Sequence, residues 1–306
     1  EMCIRDRIKI AIANIKLDTK RCCLGLACGD DVEIDRLRLI DFMYRAYANG
    51  KNDKVDFLVF PEFYMPLQWI SDVLAFVRKS GITVVSGLQY VTSGHQAYNN
   101  VAIFAPVNTG RYTSSVLFAR EKNDYAPMER QILALEKYIC VDQEKPVYQM
   151  INNRGIDYGL FLCYEFTDII ARALYKDKVD IIFTPEHNRD TSYFSNIIET
   201  TARDLHVFIV QANTSIYGDS RITGPFGRND RNVLQIKGGD KDDIIIGTIE
   251  LGKVKKYQQD EKVDFDNKIQ EYLKYNRKQK YEEEQKLFKE QKIKIAKTSA
   301  RFGGNK

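Results

Sequence analysis

Three segments of the sequence place a chemically reactive side chain directly after a short apolar run. The segments LVFPEF, FAREKN and GLFLCY carry Glu62, Lys122 and Cys163, respectively. Short apolar runs of this kind are typical of strands that are buried on both faces of a sheet. Because the carboxyl ends of parallel strands converge on one sheet edge, where ligands usually bind, we expect a carboxylate, an ammonium and a thiol to share a pocket.

Together these three groups suit nucleophilic attack on a carbonyl carbon. An ordinary cysteine thiol is mostly protonated at neutral pH, so attack by Cys163 requires a base and a nearby cation. Glu62 is the candidate base, and it would later return the proton to the departing amine. Lys122 would stabilise the oxyanion together with the backbone N–H that follows the nucleophile, each donor lowering the barrier by roughly 3–4 kcal/mol. The first step would leave a thioester acyl-enzyme, which water then hydrolyses.

Each of the three residues also has an ordinary structural explanation. A cysteine at the end of a strand is more often a small core residue than a nucleophile. A Pro-Glu pair after a strand commonly forms a turn with a solvated carboxylate, and a lone lysine usually lies on the surface. The catalytic hypothesis therefore depends on the joint order and context of Glu62, Lys122 and Cys163.

Segments of strand and helix type alternate through most of the chain, which predicts a layered α/β fold. Short apolar runs predict the strands, and apolar residues at helical spacing, such as Leu37, Ile40, Tyr44 and Tyr47, predict the helices. The predicted strands cover residues 8–15, 55–60, 82–89, 101–105, 113–119, 159–163, 179–184, 207–212 and 244–250. The predicted helices cover residues 33–48, 69–79, 130–138, 168–175 and 192–206.

The two ends of the chain differ from the domain predicted over residues 8–258. Residues 2–7, with the sequence MCIRDR, resemble the translation of a sequencing-library adapter, so we predict a non-native leader over residues 1–7 and a lost upstream domain. Residues 259–306 predict a charged helical extension, and residues 261–306 hold 13 Lys or Arg against 8 Asp or Glu. Because these charges are interleaved, a solvated or assembly-forming helix is favoured, with nucleic-acid binding as the alternative.

Composition restricts the class of protein. The chain is 44% hydrophobic and 29% charged, with a net charge of +4, which is ordinary for a globular protein. No apolar run approaches the roughly 18 residues that span a bilayer, and no secretory signal is present, so we predict a cytoplasmic protein without membrane contact. The cysteines and histidines lack zinc-site spacing, so we expect no metal site and reduced thiols at Cys22, Cys23 and Cys28.

The order Glu62, Lys122, Cys163 and the surrounding segments resemble the nitrilase superfamily of carbon–nitrogen hydrolases. The similarity is carried by LVFPEFYMP, FAREKNDYAP and GLFLCYEFTD, and IKIAIANI, FTPEHN and IETTARDLHVFIVQANTS extend it over residues 8–255. In that family the glutamate follows a strand in an FPE-type motif. The family's cysteine lies in a strand-to-helix turn and is commonly followed by tyrosine and an acid. Tyr164 fits this pattern as a supporting residue, and Glu165 stands where aspartate is commoner.

The resemblance implies a nitrilase-like α-β-β-α sandwich and further residues of the site. Family members often have a second glutamate that orients the catalytic groups; Glu129 matches it, with a surface acid that opens a helix as the alternative. The segment after Thr184 usually lines the substrate pocket, which implies such roles for His187 and Asn188, with a structural histidine as the alternative. The resemblance also implies homo-oligomers that pair through outer helices, and neither a metal nor an organic cofactor.

We therefore predict an amidase-type hydrolase that cleaves non-peptide carbon–nitrogen bonds of a small molecule through a Glu-Lys-Cys triad. The loops that select the acyl group vary within the family, so the sequence does not identify the substrate. A catalytically silent nitrilase-fold scaffold for oligomerisation of a larger protein is the alternative. A narrower similarity, to nitrilase-like domains fused behind bacterial reverse transcriptases of phage defence, implies a fused or associated reverse transcriptase as partner and an antiviral role.

Overall fold

The structure of the chain is a computed structural model that describes residues 6–17, 32–49, 54–227 and 230–302. Cys22, Cys23 and Cys28, and most of the predicted leader, lie outside these residues. The described strands are β1 Arg7–Asn14, β2 Phe57–Val59, β3 Thr83–Gly87, β4 Val91–Ser93, β5 Gln96–Tyr98, β6 Asn100–Asn108, β7 Thr113–Glu121, β8 Ile139–Cys140, β9 Met150–Asn153, β10 Ile156–Leu160, β11 Ile181–Glu186, β12 Phe208–Asn213, β13 Ser220–Thr223, β14 Asn232–Ile236 and β15 Asp243–Glu250. The described α-helices are α1 Val32–Asn49, α2 Ile70–Ser80, α3 Pro127–Leu135, α4 Ile169–Ala173, α5 Thr191–Leu205 and α6 Leu251–Phe302.

Two six-stranded sheets make up the framework. The first has the strand order β15-β1-β2-β3-β6-β7 and the second has the order β14-β13-β12-β11-β10-β9. In each sheet three neighbouring strands run parallel, namely β1-β2-β3 and β10-β11-β12, and the strands that flank them pair antiparallel. The carboxyl ends of β2 and β10 carry the segments of Glu62 and Cys163, so the sheet topology brings the predicted site to strand ends.

The sheets pack face to face and helices cover their outer faces. Successive side chains of a strand point to opposite faces, and β1 shows the division clearly. Ile10 and Ile12 join the core between the sheets with Phe57, whereas Ala11 and Ala13 join the outer core of the first sheet. That outer core includes residues of α1 and α2, and the outer core of the second sheet includes residues of α4 and α5. The predicted α-β-β-α sandwich is therefore confirmed.

Helix α1 buries an apolar stripe that only partly matches the predicted one. Leu39, Phe42, Met43 and Ala46 pack into the outer core of the first sheet. Of the predicted stripe Met43 is thus buried, whereas Leu37, Ile40, Tyr44 and Tyr47 are exposed. Both stripes have helical spacing, and only the docking of the helix on the sheet decides which of them is buried.

The charged C-terminal segment is helical, as predicted. Helix α6 begins at Leu251 directly after β15, and Leu251 and Val254 of its first turn lie in the core between the sheets. The chain divides into two compact units, Glu1–Lys255 and Lys256–Lys306. The predicted boundary between residues 258 and 259 falls inside α6 and stays a prediction. Within the described residues, no helix combines the length and the apolar character that crossing a bilayer requires.

Candidate active site

Cys163 lies just beyond the carboxyl end of β10, on a tight turn. Leu162 is the last extended residue, and a 3-10 turn covers Cys163–Thr167. Cys163 itself has a φ of 50°, in a region that residues with a Cβ adopt rarely. Such a conformation costs about 1–3 kcal/mol, and strain of this kind is concentrated at functional sites.

A buried ion pair supports the turn from behind. Arg120, from β7, donates from Nη1 and Nη2 to Glu165 Oε1 and Oε2, and both N–O distances are 2.7 Å. The N–H of Leu162 donates to Glu165 Oε2 at 2.8 Å, and the N–H of Asn123 donates to Oε1. Each carboxylate oxygen of Glu165 thus accepts two hydrogen bonds, one from Arg120 and one from a backbone N–H. Glu165 therefore fixes the backbone that carries Cys163.

Glu62 follows β2 at the same edge of the sandwich and is fully buried. Its N–H donates to the carbonyl oxygen of Glu186 at 3.4 Å, which links it to β11 in the second sheet. Gly87, at the end of β3, lies directly against its backbone. A Cβ added at Gly87 would come within 2.5 Å of Glu62 Cα, so the position of Glu62 requires a glycine there.

Lys122 lies between two carboxylates. Its Nζ donates to Glu62 Oε1 at 2.9 Å and to Glu129 Oε2 at 2.6 Å. The lysine side chain is 1% exposed, so its charge must be balanced by these two partners. Glu129, in the first turn of α3, also accepts a hydrogen bond from the Tyr90 hydroxyl at 2.6 Å.

Asn99 joins the same network. Its Nδ2 donates to Glu62 Oε1 and to Glu129 Oε1, and each distance is 2.9 Å. Its backbone carbonyl oxygen accepts a hydrogen bond from the backbone N–H of Lys122 at 2.7 Å, and its own backbone N–H donates to the Tyr125 hydroxyl at 3.0 Å. One buried asparagine therefore fixes the separation of both carboxylates and the backbone of the lysine.

The pKa values of the two carboxylates beside Lys122 shift in opposite directions. Burial alone would raise the pKa of Glu129, but the charge of Lys122 and hydrogen bonds from Lys122, Tyr90 and Asn99 hold it below its ordinary value. For Glu62, burial outweighs Lys122, and the neighbouring charge of Glu129 adds to it, so its pKa is raised. Burial opposes the charge of Lys122, yet Glu129 and Glu62 hold its pKa well above its ordinary value. The arrangement favours a charged Lys122–Glu129 pair and leaves Glu62 suited to exchanging a proton.

Cys163 rests as a neutral thiol. Burial raises its pKa well above the ordinary value and Glu62 raises it further, whereas Lys122 and a hydrogen bond from the backbone of His187 lower it. Glu62 and Lys122 thus act on the thiol electrostatically in opposite directions.

A pocket of about 340 Å³ opens over these groups. Glu62, Glu129 and Cys163 contribute to its lining, and the Lys122 ammonium is hydrogen-bonded to both of these carboxylates. The structure also brings the other predicted site residues, Tyr164, His187 and Asn188, to this pocket. The remaining walls are largely apolar and aromatic, formed by Phe63, Tyr90, Ala126, Met128, Ile132 and Phe194, with Arg189 and Asp190 also in the lining.

The sequence profile of one family, described as carbon-nitrogen hydrolase, matches residues 36–259. The chain belongs to the carbon–nitrogen hydrolase family. This match covers most of the chain and includes every residue of the pocket described above. No sequence among the curated proteins matches this chain.

Solved structures of this hydrolase superfamily share the fold. A point mutant of an amidase from Nesterenkonia sp. AN1, with the acetamide moiety of fluoroacetamide covalently added at its active-site cysteine, has a TM-score of 0.58 and 16% identity, covering 87% of this chain and 98% of the amidase. Nit3 of Saccharomyces cerevisiae, a nitrilase-superfamily member, has a TM-score of 0.63 and 14% identity, covering 83% and 94%. A CN-hydrolase superfamily protein from Xanthomonas campestris with an arsenic adduct in its active site has a TM-score of 0.59 and 11% identity, covering 83% and 94%.

In this family member, His187 and Asn188 have different surroundings. The His187 ring packs edge-on against Phe63 and Tyr217, and burial lowers its pKa to about 4, so the imidazole is neutral near pH 7. The Asn188 backbone exchanges hydrogen bonds of 2.9 Å with the Asn213 side chain. Both residues are therefore uncharged parts of the pocket wall near pH 7, and contacts with neighbouring residues hold them in place.

Three buried residues of the site were not identified from the sequence. Asn99 lies in a turn-prone Asn-Asn pair, Arg120 lies two residues before Lys122, and Glu186 lies in the segment FTPEHN. Glu186 is fully buried and accepts hydrogen bonds from the Thr184 hydroxyl at 3.2 Å and from Gln211 Nε2 at 2.7 Å. Burial raises its pKa to about 8, so it is largely protonated at neutral pH.

Within the described part of the chain, no group of three or more His, Cys, Asp or Glu residues is arranged to hold a metal ion. The described cysteines are both free thiols, Cys163 in the pocket and Cys140 on β8. Burial raises the pKa of Cys140 to about 11, which makes it a suitable unactivated reference for Cys163.

Proposed function

We propose that this protein hydrolyses amide-type, non-peptide carbon–nitrogen bonds through a cysteine acyl-enzyme. In the proposal Cys163 is the nucleophile, Glu62 is the general acid and base, and Lys122 stabilises the oxyanion. The observation that carries the proposal is the placement of Lys122 between the buried carboxylates of Glu62 and Glu129, which line one pocket together with the thiol of Cys163. A protein without catalysis has no physical need to bury these charges together, because desolvating them is costly.

The proposed reaction starts with the neutral thiol. As the Cys163 sulfur attacks the amide carbon, Glu62 takes the thiol proton, and the oxygen of the tetrahedral intermediate is stabilised by Lys122. Collapse of the intermediate expels the amine, which receives the proton from Glu62, and leaves a thioester. Water then attacks the thioester while Glu62 accepts its proton. Collapse of this second tetrahedral intermediate breaks the C–S bond and releases the acid, and Glu62 returns the proton to the Cys163 sulfur.

Charge balance supports the division of roles between the two glutamates. Glu129 holds the ammonium of Lys122 through the shorter contact, 2.6 Å against 2.9 Å, and its lowered pKa keeps it ionised. Glu62 has the raised pKa that suits a group exchanging protons near neutral pH. In this proposal Glu129 positions the lysine, and Tyr164, His187 and Asn188 shape the space for the acyl group. The acetamide adduct of the Nesterenkonia amidase supports a cysteine nucleophile in this fold.

The test combines an amide screen with covalent labelling. Ammonia release is measured for primary amides of increasing acyl size, and the site of labelling by fluoroacetamide is mapped by mass spectrometry. We expect Cys163→Ala to lower kcat/KM by at least about a thousandfold and to abolish labelling at position 163. The matched control Cys140→Ala is expected to leave both unchanged.

A catalytically silent scaffold is the second candidate, and one observation favours it. The Cys163 thiol is buried and its pKa is raised, which are also properties of an inert core cysteine. This candidate predicts that no amide releases ammonia and that fluoroacetamide labels Cys163 no faster than Cys140. That combined result would replace the hydrolase proposal.

We further propose that two copies associate through the outer helices of the second sheet. Ile169, Ile170 and Leu174, in and just after α4, are 71%, 74% and 48% exposed, and Tyr193 of α5 is 50% exposed. Apolar side chains that are clustered on a surface mark sites of protein contact. The predicted reverse transcriptase partner, the antiviral role and the cytoplasmic location stay predictions.

A further inference from the structure

A second pocket, of about 630 Å³, opens at the opposite end of the sandwich from the active site. It lies at the amino-terminal ends of β3 and β10, whereas Glu62 and Cys163 lie at carboxyl ends of strands. Three segments surround it: the end of α2 with Gly81, the hairpin of β6 and β7, and the turn between β9 and β10. Both sheets therefore contribute to one concave surface.

Four basic residues contribute to the lining of this pocket. They are Lys54, Arg78, Lys79 and Arg154, and the described lining residues include neither Asp nor Glu. Arg154 donates from Nη1 to the carbonyl oxygen of Gly81 at 3.0 Å and from Nη2 to the Thr83 hydroxyl at 3.3 Å, which holds its guanidinium in place. The local charge favours an anionic ligand.

The dipole of helix α2 does not by itself explain why four basic residues meet at this pocket. Arg78 and Lys79 occupy the last turn of α2, where basic residues complement the helix dipole and need no ligand. Lys54 and Arg154 come from two other segments and converge on the same place. A Cβ added at Gly81 would lie 2.5 Å from Lys54 Nζ, so this ammonium is beside the end of α2 as well. The carbonyl of Gly81 that would repel an anion is already bonded to Arg154.

Apolar side chains also line this pocket. They include Val107, Val116, Phe118 and Ile151, and Phe118 is 44% exposed on the surface of β7. An exposed aromatic ring offers a stacking surface for a flat ligand, and a base stacked on an aromatic side chain gains about 1–3 kcal/mol. Phosphate is the anion that clustered arginine and lysine side chains bind well.

We propose that this pocket binds a nucleoside phosphate, with the phosphates at the basic wall and the base at Phe118. The volume falls within the roughly 300–1,000 Å³ of small-molecule sites. No step of the amide chemistry requires this ligand, so the proposal is independent of the proposed function. Ligands of this class combine a phosphate group with a flat ring, and the binding of each part can be tested separately.

The test is isothermal titration of the whole protein with ATP, tripolyphosphate and adenosine. We expect ATP to bind saturably and at least about tenfold more tightly than either tripolyphosphate or adenosine. Its affinity should fall as the salt concentration rises. The variant Arg78→Glu/Lys79→Glu is expected to weaken ATP binding by at least about tenfold. Phe118→Ala is expected to weaken ATP binding while leaving the affinity for tripolyphosphate unchanged.

The matched control is Arg203→Glu/Lys176→Glu. Arg203 occupies the last turn of α5, so reversing its charge disturbs a helix end in the same way as reversing the charges at the end of α2. Neither Arg203 nor Lys176 lines the pocket. The proposal is wrong if ATP shows no saturable binding at millimolar concentration, or if the control weakens binding as much as the pocket variant. Binding of tripolyphosphate as tight as that of ATP would equally overturn it, and circular dichroism checks the folding of each variant.

Discussion

Arg120 and Glu165 form a bidentate ion pair, with both N–O distances at 2.7 Å, behind the turn that carries Cys163. The two residues come from different sheets, since Arg120 lies on β7 and Glu165 follows β10. The pair therefore joins the strand that leads to Lys122 with the turn that carries Cys163. Through this contact, the relative position of the cation and the thiol depends on one buried carboxylate.

The first prediction concerns this ion pair. Glu165→Gln would leave the Arg120 guanidinium buried without a counter-charge, and breaking a buried pair in this way costs about 3–5 kcal/mol. We expect that loss in the free energy of unfolding, measured by urea denaturation. The matched control is Asp142→Asn, which breaks the exposed pair of Arg130 and Asp142, and we expect it to cost less than about 1 kcal/mol. Equal losses in the two variants would contradict the structural role of Glu165.

The second prediction concerns the pH dependence of the proposed reaction. The charge of Glu129 raises the pKa of Glu62, and Glu129 also competes with Glu62 for Lys122. Glu129→Gln removes both effects, so the pKa of Glu62 should fall. Because the base acts when deprotonated, the acidic limb of the kcat/KM profile should move to lower pH.

Glu62→Gln serves as the comparison for the second prediction. It removes the base itself and should lower kcat by about 10²–10⁴-fold across the whole pH range. A Glu129→Gln profile with an unshifted acidic limb would show that the charge of Glu129 does not act on the catalytic base. Intact folding of both variants is checked by thermal unfolding.

The third prediction concerns stability and Glu186. Its pKa rises from 4.5 to about 8 on folding, so the folded protein binds this proton more tightly than the unfolded chain does. The resulting stabilisation is complete below about pH 4.5 and is lost as the pH rises through about 8. Between pH 5 and 8 the free energy of unfolding of the wild type should therefore fall relative to that of Glu186→Gln, by roughly 1 kcal/mol per pH unit.

Denaturation at several pH values measures this difference. The Gln211 side chain can turn its amide to accommodate the substitution, because its Oε1 has no hydrogen-bond partner in the described structure. Parallel stability curves for the wild type and Glu186→Gln would mean that Glu186 stays ionised in the folded protein.

The fourth prediction concerns the proposed pairing of two copies. Ile170→Glu places a charge in the middle of the exposed apolar cluster at α4, and it should shift the protein towards the monomer. Sedimentation velocity measures the change in mass at several concentrations. Leu135→Glu on α3, where Leu135 is 82% exposed, is the matched control and should leave the mass unchanged. A wild-type protein that is already monomeric at high concentration would refute the pairing.

The short apolar runs of the sequence predict nine of the fifteen described strands, whereas β4, β5, β8, β9, β13 and β14 were not predicted. Short apolar runs also precede Glu62, Lys122 and Cys163, and the family resemblance supplied Glu129. These features are visible because they depend on neighbours in the chain. The resemblance also supplied the sandwich architecture, which alternation alone leaves open among several layered folds.

Contacts between distant segments were not predictable in the same way. Asn99 bonds to Glu62 and Glu129, which are 37 and 30 residues away, and nothing in its local segment distinguishes it from a turn residue. Helix α1 shows the same limit, since two apolar stripes have helical spacing and the sheet alone selects Leu39 and Phe42. In both cases the decisive partner lies elsewhere in the chain.

Gly87 has a consequence for the comparison of relatives. Because any side chain at this position would collide with the backbone of Glu62, a relative that retains all three reactive residues but carries a larger residue here must have moved its glutamate. The lack of a Cβ at Gly87 is thus a requirement for the observed position of Glu62. Surveys that sort family members into active enzymes and degenerate copies should therefore score this glycine together with the triad.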